Sequence, residues 1–536
     1  MIAVLPLILN GCSCGHDFSF HLLNWMEAAR QFTHGNLHPH WAFSPAYNAG
    51  EPRFVFYPPL SWTIGAILGF LMPWAWTPIA YTWLALTAAG LALYRLAREF
   101  STPNAALIAA AFYLVNPYTL FTTYERTAYA ELLAAAWIPL LLLGILCKRV
   151  TIPGIAIPVA LLWLTNDPAA VMGCYALALL TLVRLLLPGA NPGTRTRLAA
   201  TTTAGTLLGL GLAALYILPA AYERRYVQIA MILAPGTRVQ NNFLFHHTIS
   251  PIHDAVLNTA SIIAVVLLVL TTIAVTAATR SPIPTSKDRV PKKLIYNLTI
   301  LAIAIAFLLT SPSNSIWQHV PELPFLQFPW RLLAILAAVL SLTIALALTP
   351  LKLKTLPAAA LSLAVAATLT LTAFHLFHQY CYPEDTVPAS LAVFRSNTGT
   401  EPSKEYTPTT ASNTSLSQTN PPYWLIPSHS SINTNAPANT TPGTAPASLT
   451  LNSPTPQTLV LNLRDYPAWR ITLNQAVLTS HLHRSDGLIA IPIPAGLNHI
   501  TVTYGRTLDQ TIGDILTLLS LILLLLILRH KPYPVA

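Results

Sequence analysis

Asp17 heads the stretch GHDFSFHLLNWMEAARQF, residues 15–32. Wound as a helix, this stretch puts Asp17, His21, Asn24, Ala28 and Gln31 on one stripe. Phe18, Leu22, Trp25, Ala29 and Phe32 fall on the opposite one. That pattern predicts an amphipathic helix lying along the outer membrane surface, apolar side down, with Asp17 facing water or a cavity. Two roles are open to the carboxylate: a cap for the helix N-terminus, or a general base toward an acceptor hydroxyl. Other charged residues gather at similar boundaries. YERTAYAE, 124–131, holds Glu125, Arg126 and Glu131; NDP, 166–168, holds Asp167; QFPWR, 327–331, sets Arg331 at the end of an apolar run. Taken singly, each reads as an anchor or an ion pair. Together they are harder to dismiss, because charge near hydrocarbon is costly and usually has a partner or a task. Arginines at headgroup depth can hold a phosphate and stabilise the negative charge that grows on it as it leaves. Nothing resembles a Gly-rich nucleotide-binding loop, which disfavours a sugar-nucleotide donor.

The elements that must position these residues are membrane elements. Of the 536 residues 54% are hydrophobic and only 9% charged, against about 25% charged in a soluble domain. Mean hydropathy is +0.53. Apolar runs at roughly 78–96, 103–121, 131–147, 152–166, 168–187, 200–220, 259–279, 294–310, 331–350, 357–378 and 511–529 approach span length. The expectation is an all-α polytopic membrane bundle of about 11–12 transmembrane helices. The net charge of +10 does not point to nucleic acid, because the basic residues cluster in short loops between apolar runs. Arg95/Arg98, Lys148/Arg149, Arg195/Arg197, the stretch Arg280 to Lys293, Lys352/Lys354 and the tail Arg529/Lys531 alternate as cytoplasmic segments should.

This orientation requires 58–73, PPLSWTIGAILGFLMP, to be an interfacial or re-entrant helix within one long outer loop, 11–77. Trp62, Trp74, Trp76 and Tyr81 would then sit at headgroup depth. Met1 to Asn10 is too short to cross, at about 15 Å of helix. Either a first span continues upstream, or LNGC at 9–12 marks a lipoprotein-like start without the usual positive n-region. The membrane domain should thus run over 1–378, a second outer region over 379–510, and the last span and tail over 511–536. Within that second region, 396–458 is rich in Ser, Thr, Asn and Pro and reads as loop. From 458 to 506 the period changes to two, with Leu459, Leu461 and Leu463, then Ile489, Ile491 and Ile493, then Ile500, Val502 and Tyr504. This predicts a small antiparallel β-domain. The five cysteines are scattered and show no paired CxxC spacing, so cysteine chemistry is not the expected basis of function.

The run GHDFSFHLLNWMEAARQFTHGNLHPHWAFSPAYNAGEPRFVFYPPLSW resembles the first outer loop of bacterial membrane proteins labelled 6-pyruvoyl-tetrahydropterin synthase-related, though nothing here suggests pterin chemistry. That family is similar to the GT-C superfamily of polytopic glycosyltransferases. QFPWR at 327–331, Arg126 with Glu131 in R-x-x-x-x-E spacing, Tyr57-Pro58-Pro59-Leu60, Glu405-Tyr406-Thr407-Pro408 and the closing YPAWRITLN…DGLIAIPIPAGLNHITVTYG extend the resemblance over nearly the whole chain. It implies transfer of a sugar from a polyprenyl-phosphate donor to an extracytoplasmic glycan, lipid or protein, at the outer side of the inner membrane. Asp17 would be the catalytic base, Glu131 a second catalytic acid or orienting residue, and Arg126 and Arg331 the donor-phosphate ligands. His16, His21, Tyr57, Glu125 and Trp330 would line the substrate path, with Phe56 beside them. Two departures stand out. Asn166-Asp167-Pro168 replaces an expected His-Asn-Pro, and Ser19 stands where a D-x-D metal pair would need its second acid. No cofactor is expected; His16 and His21 could supply ligands to a divalent metal, but histidines in a His-rich loop, with His34, His38 and His40, are more often solvated. A transporter or flippase of lipid-linked glycans would instead bury its acids at mid-membrane in broken helices, and Asn116-Pro117 and Pro139 are candidate breaks. A scaffold that only displays the β-domain needs no acid at Asp17.

Overall fold

In hydrocarbon a backbone can bond only to itself, so long runs of Leu, Ile, Val and Ala resolve into helices. A computed structural model describes residues 1–187, 191–234, 236–280, 292–438 and 440–529. Eight of its helices are long and apolar enough to cross a bilayer: Thr77–Arg98, Pro103–Tyr124, Tyr129–Leu146, Asp167–Leu186, Pro251–Arg280, Pro329–Leu351, Thr355–Phe377 and Leu508–Arg529. Two bent pairs, Pro192–Leu212 with Ala214–Tyr226 (75°) and Lys292–Leu308 with Ser311–His319 (92°), raise the number to ten. This is a multi-pass membrane architecture with fewer spans than hydropathy counting suggests. The run at 152–166 forms only Ile152–Trp163, 12 residues, about 18 Å of helix. Pro59–Leu71, with 13 residues, is likewise short of a span.

The spans carry their breaks in their sequence. Thr102 caps Pro103–Val115, and Asn116 then leaves the helical region (ψ 155°) because Pro117 follows it. The Asn116 side chain accepts from the backbone N–H groups of Tyr118 and Thr119, both at 3.1 Å, and so restarts the helix at Pro117–Tyr124. One end of the bundle gathers basic loops: the Asn104 amide donates to the Leu353 carbonyl (2.7 Å), and Arg184 lies on the Cys147 carbonyl (3.2 Å). Of the basic segments, 281–291 and 530–536 lie outside the described residues. The other end gathers residues 11–59, the 125–128 turn, the start of Pro329–Leu351 and the strands.

Among the described residues seven strands form two antiparallel sheets. β1 (Tyr423–Pro427), β3 (Gln457–Arg464) and β6 (Leu488–Ile493) make one, in order β1-β3-β6. β2 (Ser448–Ser453), β7 (Gly496–Tyr504), β4 (Trp469–Leu473) and β5 (Ala476–Val477) make the other, in order β2-β7-β4-β5. β1 and β2 fall inside 396–458, the stretch expected to be loop, so the β-region begins earlier than its clean alternation. Leu459, Leu461, Ile471, Ile489, Ile491 and Ile500 form a core shared with Trp41, Val55 and Phe56 of the first loop. Val460, Leu488 and Ala490 cover the reverse face with Ala46 and Ala49. The first loop is thus packed against both faces of one sheet, which fixes the segment just ahead of Tyr57.

The helix Phe18–Thr33 departs from its predicted placement. Its apolar stripe is buried in the bundle, but His21, Asn24, Glu27 and Gln31 are also buried. The polar stripe serves the first loop, not water. Gln31 donates to the Trp41 carbonyl (2.7 Å), and Arg53 donates to Asn24 (2.9 Å) while pairing with Glu51 (2.7 Å). Trp62 and Tyr81, expected at headgroup depth, are core residues at 1% and 0% exposure, whereas Trp76 is exposed. Cys14 and Cys381 form a disulfide across 367 residues, which closes the start of the first loop onto the chain just beyond Phe377. Composition gave no hint of this pairing, because its partners are adjacent only in space.

Candidate active site

The approach of two backbone segments builds the site. The N–H of His16 donates to the Glu125 carbonyl (3.2 Å), and the N–H of Asp17 donates to the Arg126 carbonyl (3.0 Å). Gly15 permits this: a Cβ there would collide with the Glu125 carbonyl oxygen. Gly15→Ala should therefore push the Asp17 segment off the 125–126 turn. We expect a fall in activity of about 10²-fold, the scale of a 1 Å misplacement, with the protein still inserted and folded. Kinetics alongside a melting curve check this, and unchanged activity would show that the approach is not needed. The facing turn is itself constrained, since Thr127 has φ 46°, a strained value for a β-branched residue.

Asp17 occupies the position before Phe18–Thr33, yet its side chain makes no capping hydrogen bond. Of the two roles open to it, capping is removed. Among the described residues nothing donates to this half-exposed carboxylate. Its charge is felt at Arg126, Arg331, His21 and Tyr57. Arg126 Nη1 lies 2.9 Å from Glu131 Oε2, and Arg331 Nε lies 3.8 Å from the same oxygen. Tyr118 donates to the other Glu131 oxygen and sits 3.5 Å from Arg126 Nη1. Burial alone would lower the Arg126 pKa, but Glu131, Tyr118 and Asp17 raise it above the ordinary arginine value. Arg331 also donates to the Leu326 carbonyl (2.9 Å), while its buried Nε has no hydrogen-bond partner. The turn Pro329–Leu332 delivers it to this point, entered through extended Phe328 and left-handed Gln327.

The other candidates divide. Tyr57 packs edge-on to Phe20 and His21, and its pKa is raised by burial and then by Asp17. Glu125 is pushed up to about 7 by burial, against the pull of Arg126. His16 is exposed. His21 is buried among Phe20, Trp25, Tyr57 and Tyr129, and burial lowers its pKa to about 4 despite Asp17. It reads as a packed, neutral ring. Trp330 is buried and stacked on Phe328 (4.6 Å). Among the described residues no group of three or more His, Cys, Asp or Glu side chains is placed to hold a metal.

One residue, Tyr118, was missed in the sequence, and two, Tyr406 and Asp167, were named there without a role at the site. Tyr118 bonds Glu131 from the far side of the Asn116-Pro117 break, a contact only the fold creates. Tyr406 stacks on Phe56 (5.7 Å); its E-Y-x-P motif was the available signal. Asp167 accepts from the Tyr216 hydroxyl at 2.5 Å, although its loop departs from the expected pattern.

No family model matches the chain, and no curated protein matches it. Among solved structures it is similar to the cryo-EM structure of the arabinofuranosyltransferase AftD from Mycobacteria, at 17% identity and TM-score 0.40, over 70% of this chain and 26% of that one. A single-substitution form of that protein gives 16% identity and the same TM-score, over 70% and 27%. The chain spans about a quarter of the length of these proteins. A likeness at this TM-score carries no argument about activity.

Proposed function

We propose that the chain is an integral membrane glycosyltransferase of the GT-C type, transferring a sugar from a polyprenyl-phosphate donor to an extracytoplasmic acceptor. One observation carries the reading: an uncapping, undonated carboxylate, Asp17, whose backbone N–H meets the Arg126 carbonyl, in the field of the Arg126 and Arg331 guanidiniums that share Glu131. The acceptor hydroxyl oxygen attacks the anomeric carbon, and its proton passes to Asp17. The bond from that carbon to the phosphate oxygen breaks with inversion. The electron pair leaves with the lipid phosphate, where Arg126 and Arg331 stabilise the charge. Glu131 holds the two guanidiniums at a fixed separation.

Two independent features support an extracytoplasmic site. The Cys14–Cys381 disulfide, three residues from Asp17, belongs to an oxidising compartment. The loops with excess Lys and Arg lie at the opposite ends of the helices, as the positive-inside rule requires of cytoplasmic loops. The helix break at Asn116-Pro117 and the two bent pairs favour a second reading, a flippase of lipid-linked glycans. The acids cluster at helix ends, which weighs against it.

Mass spectrometry of lipid-linked sugars and envelope glycans in cells lacking the chain separates the two. A transferase leaves its polyprenyl-phosphate sugar unused and a glycan short of one residue; a flippase leaves a lipid-linked glycan stranded on the inner leaflet. With the donor known, Arg331→Ala should lower kcat/KM for it by roughly 10–100-fold, the weight of one charged hydrogen bond. Unaltered donor kinetics would exclude a phosphate role for Arg331.

A further inference from the structure

Asp167 is the first residue of the helix Asp167–Leu186, but it is not needed as that helix's cap. The Asn166 side chain fills that role by accepting from the Ala169 N–H at 3.0 Å. One oxygen of Asp167 takes the Tyr216 hydroxyl (2.5 Å), which also lies 3.0 Å from the Phe56 carbonyl. The other oxygen, Oδ1, is buried with no partner. A buried acceptor left empty costs about 1–3 kcal/mol and calls for an explanation. Its surroundings supply one. Tyr57 and Tyr406 both lie within electrostatic reach of Asp167, and Tyr57 is also within reach of Asp17. The Tyr406 ring lies flat against Phe56. Neither the Tyr57 nor the Tyr406 hydroxyl bonds to another group among the described residues. One unpartnered carboxylate oxygen, two phenol hydroxyls without a hydrogen bond and aromatic faces suit one class of ligand. A sugar ring offers hydroxyls to the polar groups and a C–H face to the aromatics.

We propose that Asp167, Tyr57 and Tyr406 form a subsite for the hydroxyls of the donor's sugar, with Tyr57 linking it to Asp17. This rests on the lipid-phosphate donor reading above. Tyr57 follows Phe56, whose carbonyl receives the same Tyr216 hydroxyl that bonds Asp167, and it lies within electrostatic reach of both acids. The phosphate then falls to Arg331. The Asp in Asn166-Asp167-Pro168, which departs from the pattern expected of that loop, becomes a specificity residue of this chain.

The test uses the full-length chain in lipid nanodiscs. Three probes are titrated by tryptophan fluorescence: undecaprenyl phosphate alone, and undecaprenyl phosphates bearing a hexose or a pentose. At least one sugar-bearing lipid should bind the wild type more tightly than the bare lipid. Asp167→Asn, which preserves shape, should weaken that lipid by roughly 10–100-fold and leave the bare lipid unchanged. Tyr406→Phe should weaken it in the same selective way and serves where Asp167→Asn does not fold. Arg331→Ala should weaken all the lipids that bind. Tyr216→Phe, which removes the hydroxyl shared by Asp167 and the Phe56 carbonyl, should lower the melting temperature without this selectivity. The subsite is overturned if Asp167→Asn and Tyr406→Phe weaken bare and sugared lipids alike, or weaken neither. It is also overturned if the wild type does not distinguish them, although a lipid-phosphate site then survives. Binding of no lipid by the wild type would sink the donor reading and the subsite together.

Discussion

Asp17→Asn should lower sugar transfer by about 10²–10⁴-fold, the usual contribution of a positioned general base, while the melting temperature stays within a degree or so of wild type. The two halves of this expectation have separate causes. Asparagine keeps the size of the side chain and the backbone N–H to the Arg126 carbonyl, so the 15–17 segment remains in place. The native carboxylate neither caps its helix nor receives a hydrogen bond from the described residues, so little stability is lost with it. An amide, however, cannot accept the proton of the attacking hydroxyl. The loss corresponds to about 3–5 kcal/mol of barrier at 1.36 kcal/mol per decade. Complementing a deletion strain with this variant and measuring the missing glycan residue by mass spectrometry reads the activity. A thermal melt of the detergent-purified chain reads the fold. Retained transfer would remove Asp17 as the base, and a collapsed melt with lost transfer would make it structural.

Glu131→Ala should act through stability. Its carboxylate is 5% exposed and stands between two guanidiniums, at 2.9 Å from Arg126 and 3.8 Å from Arg331, whose side chains are 7% and 15% exposed. Deleting one partner of a buried ion pair leaves the remaining charge uncompensated and destabilises by about 3–5 kcal/mol. Here two like charges would be left facing each other, with Tyr118 losing its acceptor as well. For a chain of this size the size scaling of unfolding entropy makes that a drop in melting temperature of about 3–5 °C. Glu131→Gln keeps the acceptor for Tyr118 and should fall between the two. An unaltered melt in Glu131→Ala would mean that the guanidiniums are already neutralised by other groups, and Glu131 would lose its place as the orienting residue.

Much of this protein is determined by sequence alone, because the relevant physics is local. An apolar run must close its own backbone hydrogen bonds, so each apolar run contains a helix, and Lys and Arg mark one set of helix ends. Alternation in 458–506 marks strands because the pleat has period two. Boundary residues such as Asp17, Arg126, Glu131 and Arg331 stand out because charge beside hydrocarbon is rare. Tertiary structure decided where a pattern has more than one satisfaction. The polar stripe of Phe18–Thr33 could meet water or protein, and burying the first loop against it chose protein. Period two finds β3 through Leu459, Leu461 and Leu463 but not that both of its faces are covered, and it cannot see β1 and β2 in a Ser- and Thr-rich segment. Hydropathy cannot tell a 12-residue buried helix from a span. Pairings between distant residues, Cys14 with Cys381, Tyr118 with Glu131 and Asp167 with Tyr216, exist only because the bundle brings their helix ends to one place.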